Sequence, residues 1–181
     1  RIQDSEGKTI FNNDKIKCIN CDEISYLGKD YPVTVDNYKK IFSPQTSYQM
    51  TSILEGVVQR GTAKKLKDLE LNIAGKTGTT NKNTDTWFIG FTSNLLIGVY
   101  VGLDNPSPLG RFETGSKTAL PIFKEFIKKT VSKSEARPFK AAEGTVMMVV
   151  DPNTGQKAKF NSKNTIIEVY KKQNVIDGKV L

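Results

Sequence analysis

Three strand-like segments between residues 73 and 104, joined by short polar connections, constrain the fold of this chain more than any other feature. They cover residues 73–79, 86–92 and 95–104, and the second connection is only Ser93-Asn94. Connections this short join neighbouring antiparallel strands. In the third segment Gly98 and Gly102 fall on one face, which would let a helix or another backbone approach closely. The segments therefore predict a three-stranded antiparallel sheet.

Two stretches with helical periodicity flank this predicted sheet. The first follows Ser43, a favoured N-cap, and Pro44, which suits the first helical position, and it ends at Gly61. Its apolar residues recur at intervals of three and four: Met50, Ile53, Leu54, Val57 and Val58. The second follows a Pro- and Gly-rich loop at 104–117 and repeats the pattern: Ala119, Ile122, Phe123, Phe126 and Ile127. Both stripes predict core-packing helices, so the fold class is α+β.

The two ends of the chain have a different character. Residues 1–12 suggest a hairpin with a tight turn at Gly7, and the polar residues 13–42 predict loop and extended chain. From residue 137 the chain becomes β-rich. Its strands are expected at 145–150 and 166–170, and its turns at 151–155 and at Asp177-Gly178. We therefore expect two domains, residues 1–136 and 137–181.

The composition excludes several kinds of chemistry. The chain has no histidine, which removes Ser-His-Asp and Cys-His catalysis and the commonest metal ligand. Any nucleophile must be activated by another group, and lysine is the obvious one. The net charge of +8 fits either a lysine-rich surface or attraction to an anionic membrane or polymer. Because the lysines are scattered without interleaved aromatic residues, nucleic acid is not an expected partner.

The only two cysteines, Cys18 and Cys21, lie three positions apart. A zinc site would need two more soft ligands, which the sequence lacks. A local disulfide in an oxidising compartment is the favoured interpretation, and two free thiols are the alternative. No metal or cofactor is predicted.

The tripeptide Gly75-Lys76-Thr77 also ends the phosphate-binding loop of nucleotide hydrolases. That loop needs a glycine five residues earlier, where this chain has Glu70, and a helix directly afterwards. Here a polar turn and then a strand follow instead. A nucleotide site is therefore disfavoured, and the lysine must belong to strand chemistry.

A Lys-Thr-Gly-Thr strand in an antiparallel sheet, with a helix packed behind it, resembles the third signature of the penicillin-recognising serine transferases. The surrounding residues narrow the resemblance to the bifunctional class A penicillin-binding proteins, most closely the 1A type. It covers nearly the whole chain. The matching positions are residues 74–80, Asp85, residues 87–90, Gly102 and Asp104, with further matches at residues 2–4, Gly7, Cys18, residues 21–22, 144–146 and 151–155.

This resemblance implies a partial penicillin-binding transpeptidase fold, similar to that of β-lactamases. Residues 1–136 would be the C-terminal part of the transpeptidase domain, and residues 137–181 a β-rich extension. The implied activity is serine D,D-transpeptidation, which crosslinks peptidoglycan stem peptides ending in D-Ala-D-Ala and which β-lactam antibiotics block. The parent would add a glycosyltransferase domain and an anchor, at the periplasmic face of the bacterial inner membrane and its anionic surface.

The resemblance assigns roles to four residues of the first strand. Lys76 would raise the local positive potential and tune proton transfer. Thr77 would offer a hydroxyl or stabilise the strand, and Gly78 would let the substrate backbone lie along the strand edge. The Thr79 hydroxyl would bind the substrate carboxylate, and its backbone N–H would be one of two oxyanion donors. Trp87 is expected in the core, and Asp85 is expected to fix the turn.

The nucleophile is expected upstream of these residues. Ser5-Glu6-Gly7-Lys8 has Ser-x-x-Lys spacing but lies in a polar turn, and Ser162-Lys163-Asn164 follows the Lys-Thr-Gly strand in the wrong order. Since the chain starts at Arg1 without a signal peptide, and no run approaches the roughly 18 apolar residues of a membrane span, we expect an inactive excerpt of a longer chain. Its sheet edge at 95–104 would be covered by the N-terminal hairpin, the strand at 145–150 or another copy.

Two alternatives remain open from the sequence. One is a relative that only hydrolyses, a D,D-carboxypeptidase or a serine β-lactamase. The other is a non-catalytic module that binds the cell wall or a partner protein. Ser-x-x-Lys and Ser-x-Asn motifs upstream of Arg1 would separate the enzymes from the binding module.

Overall fold

The computed structural model describes residues 2–11, 16–19, 33–36, 40–132, 137–176 and 179–180, with only the backbone at 16–19, 33–36, 176 and 179–180. The chain forms two compact units, Arg1–Ile41 and Phe42–Leu181. No helix within the described ranges has both the length and the apolar content that a bilayer crossing requires.

The first unit contains two small antiparallel ribbons. Strand β1 (Ile2–Gln3) pairs with β2 (Thr9–Phe11), and Gly7 at φ 81° makes the turn, which confirms the predicted hairpin. Strand β3 (Ile16–Ile19) pairs with β4 (Val33–Asp36). The prediction of loop and extended chain is wrong there, because both segments are rich in the β-branched residues that favour strands.

The cysteine prediction stays untested. Cys18 lies on β3 opposite Thr34, but its side chain and the whole of Cys21 are outside the described residues.

In the second unit, helix α1 (Pro44–Arg60) begins and ends where the sequence predicts. The hydroxyl oxygen of Ser43 accepts the Thr46 N–H at 3.2 Å, and the Gly61 N–H donates to the Val57 carbonyl at 3.0 Å. The two bonds satisfy the Thr46 N–H and the Val57 carbonyl, two backbone groups that the ends of a helix would otherwise leave without a partner. The buried part of the predicted stripe is its C-terminal half, around Val58, whereas Met50 and Ile53 are half exposed.

The predicted three-stranded sheet is confirmed. Strands β5 (Ala74–Thr79), β6 (Asp85–Phe91) and β7 (Leu96–Gly102) run antiparallel in the order β5-β6-β7. The register places Lys76 opposite Ile89. Short 3₁₀ helices lie at Lys64–Leu69, Asn81–Asn83 and Lys172–Asn174.

Helix α2 (Ala119–Thr130) packs against the inner face of this sheet and closes the core. The rings of Phe88 on β6 and Phe123 on α2 meet edge to face, with centroids 4.7 Å apart. Such pairs add stabilisation beyond the area they bury. The fully buried core residues are Val58, Ala63, Leu66, Ile73, Phe88, Ala119, Leu120, Phe123 and Ile127.

The predicted stripe of α2 is only partly correct. Ile122 and Phe126 are 52% and 48% exposed, and Leu120 is buried in their place. Periodicity marks a helix as amphipathic, but an apolar sector wider than the contact surface leaves open which residues meet the sheet.

The outer face of the sheet corrects two expectations. Trp87 was expected in the core, but the alternation of side chains along β6 puts it on the other face of the sheet from Phe88. There it is 42% exposed, and its ring centroid lies 4.8 Å from that of Tyr100. Gly98 lies on the same outer face, and a Cβ there would meet only Ile89, at 3.9 Å. Within the described residues, α2 therefore packs on the other face of β7 and not on its glycines.

The tail, residues 137–181, forms its own two-stranded ribbon, as the sequence predicts. Strand β8 (Thr145–Val150) pairs with β9 (Ile166–Lys171), and Asp151 and Gly155 make the turn that follows β8. Strand β8 does not extend the β7 edge, so that option for covering the edge is wrong. The amide of Gln49 on α1 donates to the Val169 carbonyl at 3.0 Å, which ties the ribbon to the helix.

Two further expectations about the tail fall on undescribed residues. The last ribbon pairs β10 (Val175–Ile176) with β11 (Lys179–Val180), but the turn at residues 177–178 lies outside the described residues. The domain boundary predicted near residue 136 also falls in an undescribed stretch, 133–136, and stays a prediction.

Candidate active site

Strand β5 has an open edge. Among the described residues it pairs with β6 on one side only. The N–H of Thr80 donates to the Asp85 carbonyl at 3.0 Å, towards β6. Because successive residues of a strand direct their N–H and C=O groups to opposite sides, those of Thr79 and Thr77 point away from β6. The open edge therefore carries a backbone donor at Thr79 and a backbone acceptor at Thr77.

A cation lies beside this edge. The register puts Lys76 on the outer face with Ile89, and its side chain is exposed. Its Nζ donates to the Thr77 carbonyl oxygen at 2.9 Å and lies 3.5 Å from the Thr77 Oγ1. Neither ion pair found among the described residues involves Lys76. Its charge is therefore available to an anionic ligand lying along the edge.

The Thr77 hydroxyl is held by the turn that follows α1. Its Oγ1 lies 3.0 Å from the Oγ1 of Thr62. Sequence analysis missed Thr62, because nothing local in the sequence says which strand the end of α1 will meet. The contact joins the helix end to the candidate site.

The Thr79 hydroxyl is held from the other side of the fold. Its Oγ1 accepts the N–H of Gly115, from the loop before α2, at 3.1 Å. Gly115 is buried, and sequence analysis placed it only in a Pro- and Gly-rich loop. The signal in the sequence was the glycine itself, because a residue without a side chain lets two backbones approach closely. Because a hydroxyl can accept and donate at the same time, Thr79 keeps its proton for a ligand.

The turn between β5 and β6 is fixed by Asp85, as predicted. One carboxylate oxygen accepts the Tyr100 hydroxyl at 2.7 Å, and the other accepts the hydroxyls of Thr84 at 2.9 Å and Thr80 at 3.3 Å. Gly102 leaves room for this arrangement, since a Cβ there would lie 2.1 Å from the Tyr100 oxygen. The network holds the turn that directly follows Thr79.

These bonds make Asp85 a pH-sensitive part of the turn. The hydrogen bond from Tyr100, and then that from Thr84, holds the pKa of the Asp85 carboxyl below its ordinary value. A carboxyl whose pKa is lower in the folded than in the unfolded state stabilises the fold above its unfolded pKa, near 4. That stabilisation is lost as the pH falls through the lower, folded-state pKa.

We therefore expect the unfolding temperature of Tyr100→Phe to depend less on pH below about 4 than that of the unchanged protein. Thermal unfolding followed by circular dichroism between neutral and strongly acidic pH measures this. Asp68, whose pKa its hydrogen bond with Lys124 lowers, titrates in both proteins, so the difference between the two curves isolates Asp85. Parallel curves would contradict the expectation.

The other two candidate motifs do not begin helices. Ser5 lies in the turn between β1 and β2. Ser162 lies in the connection between β8 and β9, where its N–H donates to the Lys159 carbonyl. The helix start that a Ser-x-x-Lys nucleophile needs is therefore not found at Ser5.

Comparison with known proteins gives a consistent result. The family described as "Penicillin binding protein transpeptidase domain" matches residues 22–128. Penicillin-binding protein 1A of Rickettsia bellii is 38% identical over 178 residues, which are 97% of this chain and 22% of that protein. Penicillin-binding protein 1A of Pseudomonas aeruginosa is 35% identical over 137 residues, 75% of this chain and 17% of that protein.

A solved structure agrees. The crystal structure of penicillin-binding protein 1A from Haemophilus influenzae matches 99% of this chain and 28% of its own chain, with a TM-score of 0.66 and 27% identity. The chain thus spans 22% of the Rickettsia bellii protein and 28% of the Haemophilus influenzae chain.

Proposed function

Because the chain belongs to the penicillin-binding protein transpeptidase family, we propose that it forms one wall of the catalytic cleft of a serine D,D-transpeptidase. The observation that carries this proposal is the open edge of β5, with the Lys76 amino group beside it and the backbone N–H of Thr79 directed into it. The complete enzyme crosslinks peptidoglycan stem peptides, and β-lactam antibiotics acylate it.

The reaction is an acyl transfer in two steps. A serine hydroxyl, supplied by residues that precede this chain, attacks the carbonyl carbon between the two terminal D-alanines and gives up its proton to a base. The C–N bond breaks, and the terminal D-alanine leaves as a protonated amine. An amine of a neighbouring stem peptide then attacks the ester, which releases the serine and forms the crosslink. In a β-lactam the leaving nitrogen stays tethered, so the ester persists.

The edge of β5 binds the donor peptide as an added strand. Gly78 lacks a side chain, so an extended peptide can approach the backbone closely. The Thr79 N–H then donates to the carbonyl oxygen under attack and is one of two oxyanion donors. Removal of one such donor typically costs on the order of 10²–10³ in rate.

The terminal carboxylate of the donor is bound by a hydroxyl and a cation. The Thr79 hydroxyl donates to it, a charge-assisted bond of roughly 1.5–3 kcal/mol. Lys76 raises the positive potential beside the attacking serine and tunes proton transfer. The Thr77 hydroxyl, which is bonded to Thr62, has the strand-stabilising role.

The partners and location of the complete protein follow from the same proposal. The missing N-terminal part of the transpeptidase domain completes the sheet at the β7 edge and covers the exposed outer face. A glycosyltransferase domain and an anchor precede it, at the periplasmic face of a bacterial inner membrane. The excess of 27 Lys and Arg over 19 Asp and Glu favours the anionic membrane surface.

A labelling experiment with a fluorescent penicillin tests this proposal. We expect a covalent band on the longer protein that contains these residues, abolished by excess unlabelled benzylpenicillin, and no band on the 181-residue polypeptide. Labelling of the 181-residue polypeptide would overturn the assignment of the nucleophile to upstream residues. An unlabelled longer protein, shown to be folded by circular dichroism, would overturn the transpeptidase proposal itself.

A further inference from the structure

We propose that Gly115 is a positioning residue, whose backbone N–H aims the Thr79 hydroxyl proton at the substrate carboxylate. The inference rests on the proposed function and adds to it a residue outside the Lys-Thr-Gly-Thr strand. The two residues are 36 positions apart and are joined by one hydrogen bond of 3.1 Å.

The direction of this hydrogen bond decides where the proton of the Thr79 hydroxyl points. A threonine hydroxyl has one proton and two lone pairs, and it rotates to suit its partners. The Gly115 N–H occupies one lone pair, so the hydroxyl proton must point elsewhere. Thr79 is exposed at the end of β5, and its oxygen cannot use that lone pair for water. The hydroxyl is therefore oriented as a donor before a carboxylate arrives, which lowers the cost of ordering it on binding.

Only glycine fits where this N–H is found. A Cβ on residue 115 would lie 2.4 Å from the Trp87 carbonyl oxygen and 2.6 Å from that of Gly78. Both are backbone atoms of paired strands, so they cannot move aside as the end of a flexible side chain would. The loop before α2 thus crosses strands β5 and β6 with its backbone so close to theirs that no side chain fits between them.

Hydrogen bonds to helix α2 and within the preceding loop also fix the position of Gly115. Its carbonyl accepts the Leu120 N–H at 2.8 Å, at the start of α2. The Thr118 hydroxyl donates to the Thr114 carbonyl at 3.0 Å and lies 2.6 Å from the hydroxyl of the buried Thr86. These bonds fix the segment between the core helix and the sheet. The hydroxyl of Thr79 is therefore held by the same packing that closes the core.

The test is a double-mutant cycle in the longer protein, with the acylation rate constant for benzylpenicillin as the readout. We expect Thr79→Val to lower that constant by about 10- to 150-fold, because it removes a bond to a carboxylate. Thr118→Val should lower it by about 5- to 10-fold, because it removes the hydroxyl bonds to Thr114 and Thr86 that hold the segment with the orienting N–H, and it adds no clash with the sheet. In the Thr79→Val background, Thr118→Val should have no further effect.

The second arm removes the carboxylate from the ligand. With the methyl ester of benzylpenicillin, Thr118→Val should change the acylation rate by less than about twofold, since no carboxylate is left to receive the proton. Thr130→Val is the matched control, because it removes one hydroxyl bond, to the Phe126 carbonyl, at the exposed end of α2. Its rate should equal that of the unchanged protein with both ligands.

Each outcome is decisive. Equal losses from Thr118→Val with the acid and the ester, or in the presence and absence of the Thr79 hydroxyl, would overturn the inference and leave the proposed function intact. No loss from Thr79→Val would instead overturn the proposed role of Thr79. If Thr118→Val does not fold, Thr118→Ala removes the same two hydroxyl bonds, and the same pattern is expected from it.

Discussion

Replacing Lys76 by methionine in the longer protein should lower the rate constant of acylation by benzylpenicillin by about 10²–10⁴, the range that a positioned proton-transfer group contributes. The amino group of Lys76 lies at the open edge of β5, 2.9 Å from the Thr77 carbonyl oxygen. Methionine keeps the length of the side chain but removes the charge and all three donors. Stopped-flow acylation with a chromogenic β-lactam measures the effect.

A matched control separates this local effect from a general loss of positive charge. Lys65 is exposed and lies on the 3₁₀ helix Lys64–Leu69. Lys65→Met makes the same chemical change, yet we expect the acylation rate to stay within about twofold, because exposed charges far from the reaction are screened. Equal losses from both variants would show that Lys76 acts only through net charge. A Lys76→Met enzyme of full activity would remove the residue from the mechanism.

Replacing Phe123 by alanine should destabilise the protein by about 3–5 kcal/mol. Phe123 has no exposed surface and contacts the ring of Phe88 edge to face. Gly90 of β6 also faces it, since a Cβ there would lie 2.7 Å from the Phe123 ring. Removal of the ring would leave a cavity lined by strands and a helix that can collapse only in part. Urea denaturation followed by tryptophan fluorescence and by circular dichroism gives the free energy of unfolding.

The same substitution one turn further along α2 provides the comparison. Phe126 is 48% exposed, so we expect Phe126→Ala in the 181-residue polypeptide to cost no more than about half as much. A larger loss from Phe126→Ala than from Phe123→Ala would mean that α2 packs with the other side of its apolar stripe. The pair therefore tests the orientation of the helix as well as the core.

The sequence predicted the elements more reliably than their partners. Helix α1 was predicted with both ends because Ser43, Pro44 and Gly61 act locally on the backbone. Strands β3 and β4 were missed because they are four residues each and are separated by a polar stretch. Trp87 was predicted in the core, although alternation along β6 puts its side chain on the face of the sheet that Phe88 does not face.

For the candidate site, the division is equally clear. Lys76 and Thr79 were identified from their own segment, and the structure puts them on a strand with an open edge. Thr62 and Gly115 were not identified, although each bonds to a hydroxyl of that strand. Their contribution depends on the end of α1 and the loop before α2 packing against β5, and no local sequence pattern encodes that packing.

By itself, the sequence determined the two helices α1 and α2 and the three strands of the central sheet, and it indicated which strand would carry the candidate site, because turn residues, caps and apolar periodicity act within a few positions. Only the tertiary structure decided which face of the sheet is covered, which side of α2 enters the core and which backbone amide meets the Thr79 hydroxyl. Those choices depend on contacts between residues distant in the chain, such as Thr79 and Gly115. Their free energy comes from close packing of whole elements, which no short stretch of residues contains.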